Sequence, residues 1–306
     1  MLQRKFSSLA PHPADAARPP PSPACGRRKI LATLLAVVTF AAAPTHATEP
    51  PARVVSLNLC LDQLALALGA PGQLVGIGLD AQDPHLSSRW QEARAVPSLR
   101  LRLESILALR PDLVLLDAYA PARAVALLQR AGVRVAQFPE AMTFAEGIAR
   151  VRGIANALGR QTAGAALADD MQRRRAEITA GLSDRRPLAA VWQANGFTVG
   201  RGTLPDDLLR HAGFRNLAAE RGTGPFEPLP LEALVRAAPD LLIVDGATSD
   251  RPSLAEALMT HRAARRTFEG ARTLVMPHGL WLCAGPQNLE ALAHLVSARR
   301  AIEATR

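Results

Sequence analysis

The side chains best suited to ligand chemistry are few in this 306-residue chain and lie far apart along it. After residue 47 there are two cysteines, Cys60 and Cys283, one tyrosine, Tyr119, and three tryptophans. The chain contains no nucleophile elbow (G-x-S-x-G), no phosphate-binding loop (G-x-x-x-x-G-K-[ST]) and no G-x-G-x-x-G turn after a strand. The sequence therefore favours a binding protein over an α/β enzyme.

The histidines after residue 47, at positions 85, 211, 261, 278 and 294, include no closely spaced pair. A site for a bare metal ion needs three or four converging histidine or carboxylate ligands. One set of metal ligands stays possible from the sequence, in which His85, with Asp80 and Asp83, approaches His278 across a cleft. We expect no resident cofactor and no structural metal, and direct binding of a metal ion is the lesser alternative.

Seven short apolar runs predict buried strands separated by helical segments, at 54–57, 74–77, 113–116, 133–137, 189–193, 241–244 and 273–276. Continuous apolar runs are typical of parallel strands covered on both faces. Apolar residues also recur at helical spacing from Thr162 to Leu182, and Pro187 ends that helix because the residue before a proline avoids helical geometry. We expect an α/β fold of two Rossmann-like lobes with mainly parallel sheets, 52–160 and 187–306, joined by one long linker helix, 161–186.

In parallel α/β sheets, ligands bind beyond the carboxyl ends of the strands. That rule selects the following residues for the lining of a cleft: Asn58, Cys60, Asp62, Trp90, Tyr119, Arg251, His278 and Trp281. Trp281 offers a flat aromatic platform, with packing inside its own loop as the alternative, and Tyr119 is either a ligand contact or a packing residue. Arg100, Arg102 and Arg201 can meet an anionic ligand, although solvated surface arginines are the default.

The excess of basic over acidic residues, 36 against 27, does not indicate a nucleic-acid-binding surface. Residues 1–47 hold six of the basic residues and one acid, which leaves 30 basic against 26 acidic residues in the remainder. The longest basic run there is Arg173-Arg174-Arg175, whereas a nucleic-acid site needs clustering on one face. We expect a monomer that binds no nucleic acid.

The start of the chain has the pattern of an export signal. Arg27-Arg28-Lys29 precedes an apolar run of 14 residues, 30–43, and small residues follow it up to Ala47. This order is typical of a cleavable signal peptide, and the run is shorter than the ~20 residues of a membrane-spanning helix. We expect residues 1–47 to be a leader and signal peptide, and the mature protein to be periplasmic.

An internal repeat relates the two predicted lobes. Residues 101–117, LRLESILALRPDLVLLD, align without a gap with residues 229–245, LPLEALVRAAPDLLIVD, and seven of 17 positions are identical. Each copy predicts a short helix that begins with a glutamate, Glu104 or Glu232, and ends at Pro-Asp before a buried strand. The helix dipole favours glutamate in a first turn, which explains one such residue better than two at matching positions.

These features resemble the ferric-siderophore and cobalamin periplasmic binding family from about residue 53 to 305. The segments that carry the resemblance are RVVSLNLCLDQLALALGAPGQLVGIG, LESILALRPDLVLLD, LGRQTAGAALADDM, GRGTLPDDLLRHAGFRNLAAE, LPLEALVRAAPDLLIVD and LVMPHGLWLCAGP. The resemblance implies a non-catalytic receptor of an ABC importer, with one backbone helix between its lobes. It also implies that Glu104 and Glu232 dock onto arginines of the permease, which works with its ATPase.

Removal of the signal would take Cys25 and leave Cys60 and Cys283. Two thiols in an oxidising compartment usually pair. The family layout, however, puts these two in opposite lobes, and pairing needs Cα atoms about 4.4–6.8 Å apart. A bridge across the cleft and two free thiols both stay open from the sequence.

The family resemblance implies a bulky metal chelate as the cargo. A ferric siderophore is the first expectation, because the predicted cleft rim offers more arginines than carboxylates and guanidinium groups suit carboxylate or catecholate oxygens. Cobalamin, which can stack on Trp281 or Trp90, is the second. Haem is the third, because it needs histidine or tyrosine axial ligands, and few candidates exist.

Overall fold

The first lobe is built on a five-stranded parallel sheet with the strand order β3-β2-β1-β4-β5. The computed structural model describes residues 49–222, 224–246 and 272–305, so the predicted leader and Arg251 lie outside the described residues. The strands are β1 Val54–Ser56, β2 Leu74–Gly78, β3 Ser98–Leu99, β4 Leu113–Asp117 and β5 Arg134–Phe138. The helices are α1 Leu59–Leu68, α2 Trp90–Ala93, α3 Leu103–Ala108, α4 Ala122–Arg130 and α5 Phe144–Ala157.

Side chains of β1 and β4 are buried on both faces of this sheet. Val55 and Val114 pack with Ile106 of α3 on one face, while Val54 and Leu115 belong to the large core on the other. Burial of both faces is the reason why the strands read as unbroken apolar runs.

The second lobe holds a four-stranded parallel sheet in the order β11-β10-β6-β8, and a separate antiparallel pair of β7 with β9. Its strands are β6 Leu188–Trp192, β7 Phe197–Val199, β8 Arg215–Asn216, β9 Phe226–Pro228, β10 Leu241–Asp245 and β11 Arg272–Met276. Its helices are α7 Leu204–His211, α8 Leu217–Glu220, α9 Leu231–Ala237 and, at the end of the chain, α10 Asn288–Ala304. The seven strands predicted from apolar runs are all present, with ends shifted by one residue.

The Pro-Asp pairs of the repeat have the same structural role in both lobes. The Asp112 carboxylate accepts hydrogen bonds from the backbone N–H groups of Ala52 and Arg53 at 2.8 and 3.1 Å, just before β1. The Asp240 carboxylate accepts one from Leu188 at 2.9 Å, at the start of β6. Each aspartate therefore fixes the amino end of the central strand of its lobe. That end lies next to the strand that begins directly after the aspartate.

The linker helix is shorter than the sequence predicted. The helix α6 spans Gln161–Thr179 and ends at Ala180, whose backbone is extended, before Gly181 with φ +72°. The expected boundary at residue 186 was wrong, because residues 180–187 form a loop whose carbonyls are bound from another helix. In the part of the chain that the structure describes, α6 and the other helices lack the length and apolar character needed to cross a membrane.

Candidate functional site

A disulfide joins the two lobes where the carboxyl ends of their strands face each other. Cys60 lies in the first turn of α1, directly after β1, and Cys283 lies in the loop that follows β11. The two residues are bridged, with Cα atoms 5.2 Å apart. The loop of residues 277–287, here called the interlobe loop, therefore belongs to the second lobe and is covalently attached to the first.

Three further contacts close the seam between the lobes. The backbone N–H of Phe144, at the start of α5, donates to the Asp207 carboxylate of the second lobe at 2.8 Å. A Cβ at Gly147 would lie 2.9 Å from the Cβ of Ala284, so the helix and the interlobe loop touch closely. A Cβ at Gly279 would lie 3.0 Å from the carbonyl oxygen of Leu86, in the first lobe.

Asp207 remains ionised at this seam although it is almost fully buried. Burial by itself would raise the pKa of Asp207, but hydrogen bonds from His211 and the Phe144 N–H, with the charge of Arg210, hold the pKa below its usual value. The carboxylate also lies at the amino end of α5, where the helix dipole favours a negative charge. The contact between Phe144 and Asp207 is therefore a charged cap shared between the lobes.

Asn58, Asp117 and Tyr119 form one polar cluster at the edge of the first lobe. The Asn58 amide donates to the Asp117 carboxylate at 3.0 Å, while its oxygen accepts from the backbone N–H of Cys60 and caps α1. The other oxygen of Asp117 accepts from the Tyr119 N–H at 2.8 Å. This cluster fixes the Tyr119 backbone just after β4, and the Tyr119 side chain is exposed, with 78% of the residue accessible.

Other large apolar side chains are exposed near the same edges. Leu79 follows β2, Leu101 follows β3, and Leu282 lies in the interlobe loop between Trp281 and Cys283. Exposed apolar groups at strand ends are suited to contact with an apolar ligand face. The strand ends therefore offer apolar contact area together with a phenol.

Trp281 is not placed as a ligand platform, which corrects the prediction for this residue. Its side chain is only 2% exposed and packs into the large core, with Leu280 and Ala284 beside it. The structure instead shows the alternative interpretation of the sequence, a tryptophan packed inside its own loop. The interlobe loop needs an internal anchor of this size because it has little regular secondary structure.

Asp62 and Arg201 also lie away from the cleft lining for which they were selected. Asp62 is the fourth residue of α1 and is fully buried beneath the edge of the sheet. Arg201 lies in a groove shared with Arg186 and Arg215, which flank the amino ends of β6 and β8. In both cases the loop after the strand is short, and the chain turns back into the lobe.

The remaining candidates are at the edges but are not gathered into one cluster. Trp90 is half-buried with the guanidinium of Arg94 5.7 Å from its ring, and Arg100 and Arg102 are exposed between β3 and α3. His278 is half-buried at the start of the interlobe loop. The described residues contain no group of histidine, cysteine and carboxylate side chains that could hold a metal ion.

The expected excess of arginines over carboxylates at the rim stays a prediction, because Arg251 lies outside the described residues. Four carboxylates lie at or just after strand ends of the first lobe, and so do four arginines: Asp80, Asp83, Asp117 and Glu140 against Arg89, Arg100, Arg102 and Arg123. Arg201, also expected at the rim, lies at the opposite end of its sheet. The rim of the first lobe is therefore balanced in charge.

The buried carboxyl of Asp62 has an unusual protonation equilibrium. Burial raises the pKa of Asp62 from 3.8 to about 7, and the nearby Ser56 hydroxyl and the Gly78 N–H, which donates to Oδ2 at 3.1 Å, only partly oppose this. The atoms Asp62 Oδ1 and Ser56 Oγ are buried and have no partner in hydrogen-bonding geometry among the described residues. A neutral carboxylic acid, which can donate as well as accept, suits this position.

This equilibrium makes stability depend on pH. At Asp62 the folded state binds more protons than the unfolded state between pH 3.8 and about 7, so the contribution of this residue to stability is fully present below pH 4 and is lost as pH rises through 7. Asp62→Asn keeps an acceptor and a donor but removes the charge. We expect the unfolding free energy of this variant to exceed that of the wild type by roughly 2–4 kcal/mol at pH 8.

Urea unfolding of both proteins at pH 4, 6 and 8 measures this difference, which should shrink steadily towards pH 4. Asp80→Asn is the comparison, because Asp80 is exposed and its charge contributes least to the raised pKa of Asp62, so this variant should show a much smaller pH-dependent gain. A variant at Asp62 that is less stable than the wild type at every pH would mean that the ionised carboxylate stabilises the fold.

Glu104 and Glu232 occupy matching places on the two lobes. Each is the second residue of its helix, α3 or α9, and each is exposed. Neither makes an ion pair with any residue that the structure describes. Two unpaired carboxylates at equivalent positions are available to a partner.

Sequence reasoning missed the seam residues Phe144, Asp207 and Gly279. No local pattern marks them. Phe144 and Asp207 bind each other across more than 60 positions of sequence, and Gly279 contacts only the backbone of the other lobe. The structural role of Asp112 and Asp240, by contrast, has a signal in the sequence, because both follow the proline of the repeat.

Comparison with known proteins identifies the family. The family model described as periplasmic binding protein matches residues 54–271 of this chain. A cobalamin-binding protein of Halobacterium salinarum is 30% identical over 206 residues, which cover 66% of this chain and 55% of that protein. The chain thus spans about half the length of the curated relatives it matches first.

Solved structures agree with this relationship. The periplasmic heme-binding protein RhuT from Roseiflexus sp. RS-1 superposes with a TM-score of 0.67 at 26% identity, over 82% of this chain and 98% of that one. A protein of an ABC-type Fe3+-hydroxamate transport system from Saccharomonospora viridis gives 0.62 at 21% identity, over 82% and 93%, a likeness of fold alone. The two-lobed fold and a family match over most of its length show that the chain belongs to the periplasmic binding protein family.

Proposed function

We propose that this protein is the receptor of an ABC importer that captures a metal chelate outside the cytoplasm and delivers it to the permease. Members of its family are binding proteins that work outside the cytoplasm. The observation that carries the proposal is the exposed Tyr119, held by Asn58 and Asp117 at the strand ends beside the seam between the lobes. The lobe edges thus offer an open binding surface, and we propose no catalytic step there.

The cargo best supported by the described surface is a corrinoid of the cobalamin type. Its large face is apolar, which suits contact with Tyr119, Leu79 and Leu282. The rim of the first lobe is balanced in charge and so gives no special attraction for polyanionic chelates such as ferric catecholates, the class expected first from the sequence. The relative named as a cobalamin-binding protein supports the same class.

Haem is the second candidate because Tyr119 presents a phenol that can serve as an axial ligand to iron. The relative named as heme-binding supports this alternative. Ferric hydroxamates, which carry less negative charge than catecholates, are the third. These three cargoes therefore differ in whether binding requires the Tyr119 hydroxyl.

Calorimetric titration of the purified protein with cyanocobalamin, cobinamide, haemin, a ferric hydroxamate and a ferric catecholate tests the proposal. We expect cyanocobalamin or cobinamide to bind most tightly. Tyr119→Phe should then retain affinity within about twofold because stacking persists, whereas Tyr119→Ala should lose about tenfold, in the range of one aromatic contact. Val275→Ala, an exposed apolar change within β11, is the control.

A loss of haemin binding in Tyr119→Phe, with a changed visible spectrum, would instead assign haem as the cargo. Failure of the whole chelate panel, with binding of bare divalent ions alone, would overturn the receptor class proposed here.

The proposal includes export through a cleavable leader, residues 1–47, and a permease with its ATPase as partner. Protein recovered from the periplasm should begin after Ala47, which amino-terminal sequencing determines.

A further inference from the structure

The lobes are joined by two covalent connections rather than one. The first is the backbone that runs through α6, and the second is the bridge from Cys60 to Cys283, which are 223 positions apart in the sequence. One connection allows the lobes to bend and twist about the linker. A second connection at another place prevents the twist. The lobes can then rotate only about the axis that passes through both connections.

The interlobe loop has its own internal structure. The Asn288 amide donates to the carbonyls of Leu280 and Cys283 at 2.8 and 2.9 Å, and its oxygen accepts from the Gly285 N–H at 2.8 Å. The Gln287 amide also donates to the Cys283 carbonyl, at 2.7 Å. These bonds attach one side of the loop to the start of α10 in the second lobe.

The same loop is pressed against the first lobe on both sides of the bridge. Gly279 abuts the Leu86 backbone and Ala284 abuts Gly147, while Trp281 is buried between these contacts. Within this segment Leu282 alone among the large apolar residues is exposed, because its neighbours Trp281 and Cys283 are held inward. The bridge therefore determines the position of the Leu282 side chain.

We propose that the Cys60–Cys283 bridge fixes the interlobe loop as the floor of the cargo cleft, and that it positions Leu282 as a cargo contact. The assignment of Leu282 rests on the proposed receptor function, whereas the fixing of the loop does not. A cleft whose floor is set before cargo arrives avoids the entropy cost of ordering that loop on binding. Cys60 and Cys283 are positioning residues in this scheme, and Leu282 is the residue that touches the ligand.

The test compares the wild type with Cys60→Ser/Cys283→Ser and with Leu282→Ala. The double variant should bind the best cargo of the chelate panel about tenfold more weakly, within the usual range of coupling between sites. Hydrogen exchange of amides 278–287 should be faster in it than in the wild type. Leu282→Ala should weaken cargo binding without altering that exchange.

Ile302→Ala is the control for a general loss of stability, because Ile302 is buried in α10 away from the seam. Its cargo affinity should equal that of the wild type. If the double serine variant does not accumulate, folded wild type reduced with a phosphine after purification provides the same comparison.

Two free thiols in unfolded, unreduced wild type would overturn the inference, as would a double variant with unchanged cargo affinity and unchanged exchange in the loop. If the wild type binds nothing in the panel, the receptor proposal fails. The exchange comparison still decides in that case whether the bridge fixes the loop.

Discussion

Reversal of both exposed glutamates, as Glu104→Arg/Glu232→Arg, should reduce cargo uptake by more than about tenfold while cargo affinity stays unchanged. Both carboxylates are exposed at the same position of repeated helices, one on each lobe, and no described residue neutralises either of them. A receptor that touches its permease through both lobes needs attraction at both ends. If the two glutamates dock onto arginines of a permease, as the family resemblance implies, two positive charges at these positions would meet like charges.

Uptake of labelled cargo into cells that carry only the variant, together with titration of the purified protein, separates docking from capture. Each single reversal should give a partial defect that shrinks at higher salt, because salt screens both the lost attraction and the new repulsion between exposed charges. Glu290→Arg, an exposed glutamate at the start of α10, is the matched control and should leave uptake unaffected. Normal uptake in the double variant would refute the docking assignment, and lost cargo affinity would place the two residues in the cleft.

The parts of the fold that the sequence predicted are those with a strong local signal. The strands β1, β4 and β10 are buried on both faces and therefore read as apolar runs that nothing else in the chain resembles. The strands β3 and β8 have two residues each and were not predicted. They exist because a neighbouring strand offers free backbone groups, which is a tertiary property.

The candidate site was predictable only to the level of strand ends. The rule that selects residues after a strand placed Asn58 and Tyr119 correctly at an edge, but it also selected Asp62 and Trp281, which are buried. Whether a side chain after a strand faces solvent depends on how soon the next helix begins. In α1 the helix starts one residue after Asn58, so Asp62 already faces the lobe interior.

The loop that follows the linker helix is bound by Arg299, a residue 120 positions beyond Thr179, and no local pattern reveals this contact. The Arg299 guanidinium is 1% exposed, and its Nη2 donates to the carbonyls of Ser183 and Arg185 at 2.5 and 2.6 Å. Its Nη1 donates to the Ala212 carbonyl at 3.1 Å, at the end of α7. One side chain thus joins the loop after the linker to two helices of the second lobe.

Removal of this guanidinium in Arg299→Met should lower the free energy of unfolding by about 3–5 kcal/mol. Methionine fills much of the volume but takes the donor away from the carbonyls of Ser183, Arg185 and Ala212, and an unsatisfied acceptor is costly where it is buried, as at Ala212. Arg300→Met is the control, because Arg300 is exposed and its contacts with Ile178 and Ala180 are longer, at 3.5 and 3.2 Å, so its loss should cost less than about 1 kcal/mol. Denaturant unfolding of the three proteins with the disulfide intact measures both differences. Equal stabilities of the two variants would show that the loop after α6 holds its place without Arg299, and that the linker ends at Thr179 for local reasons alone.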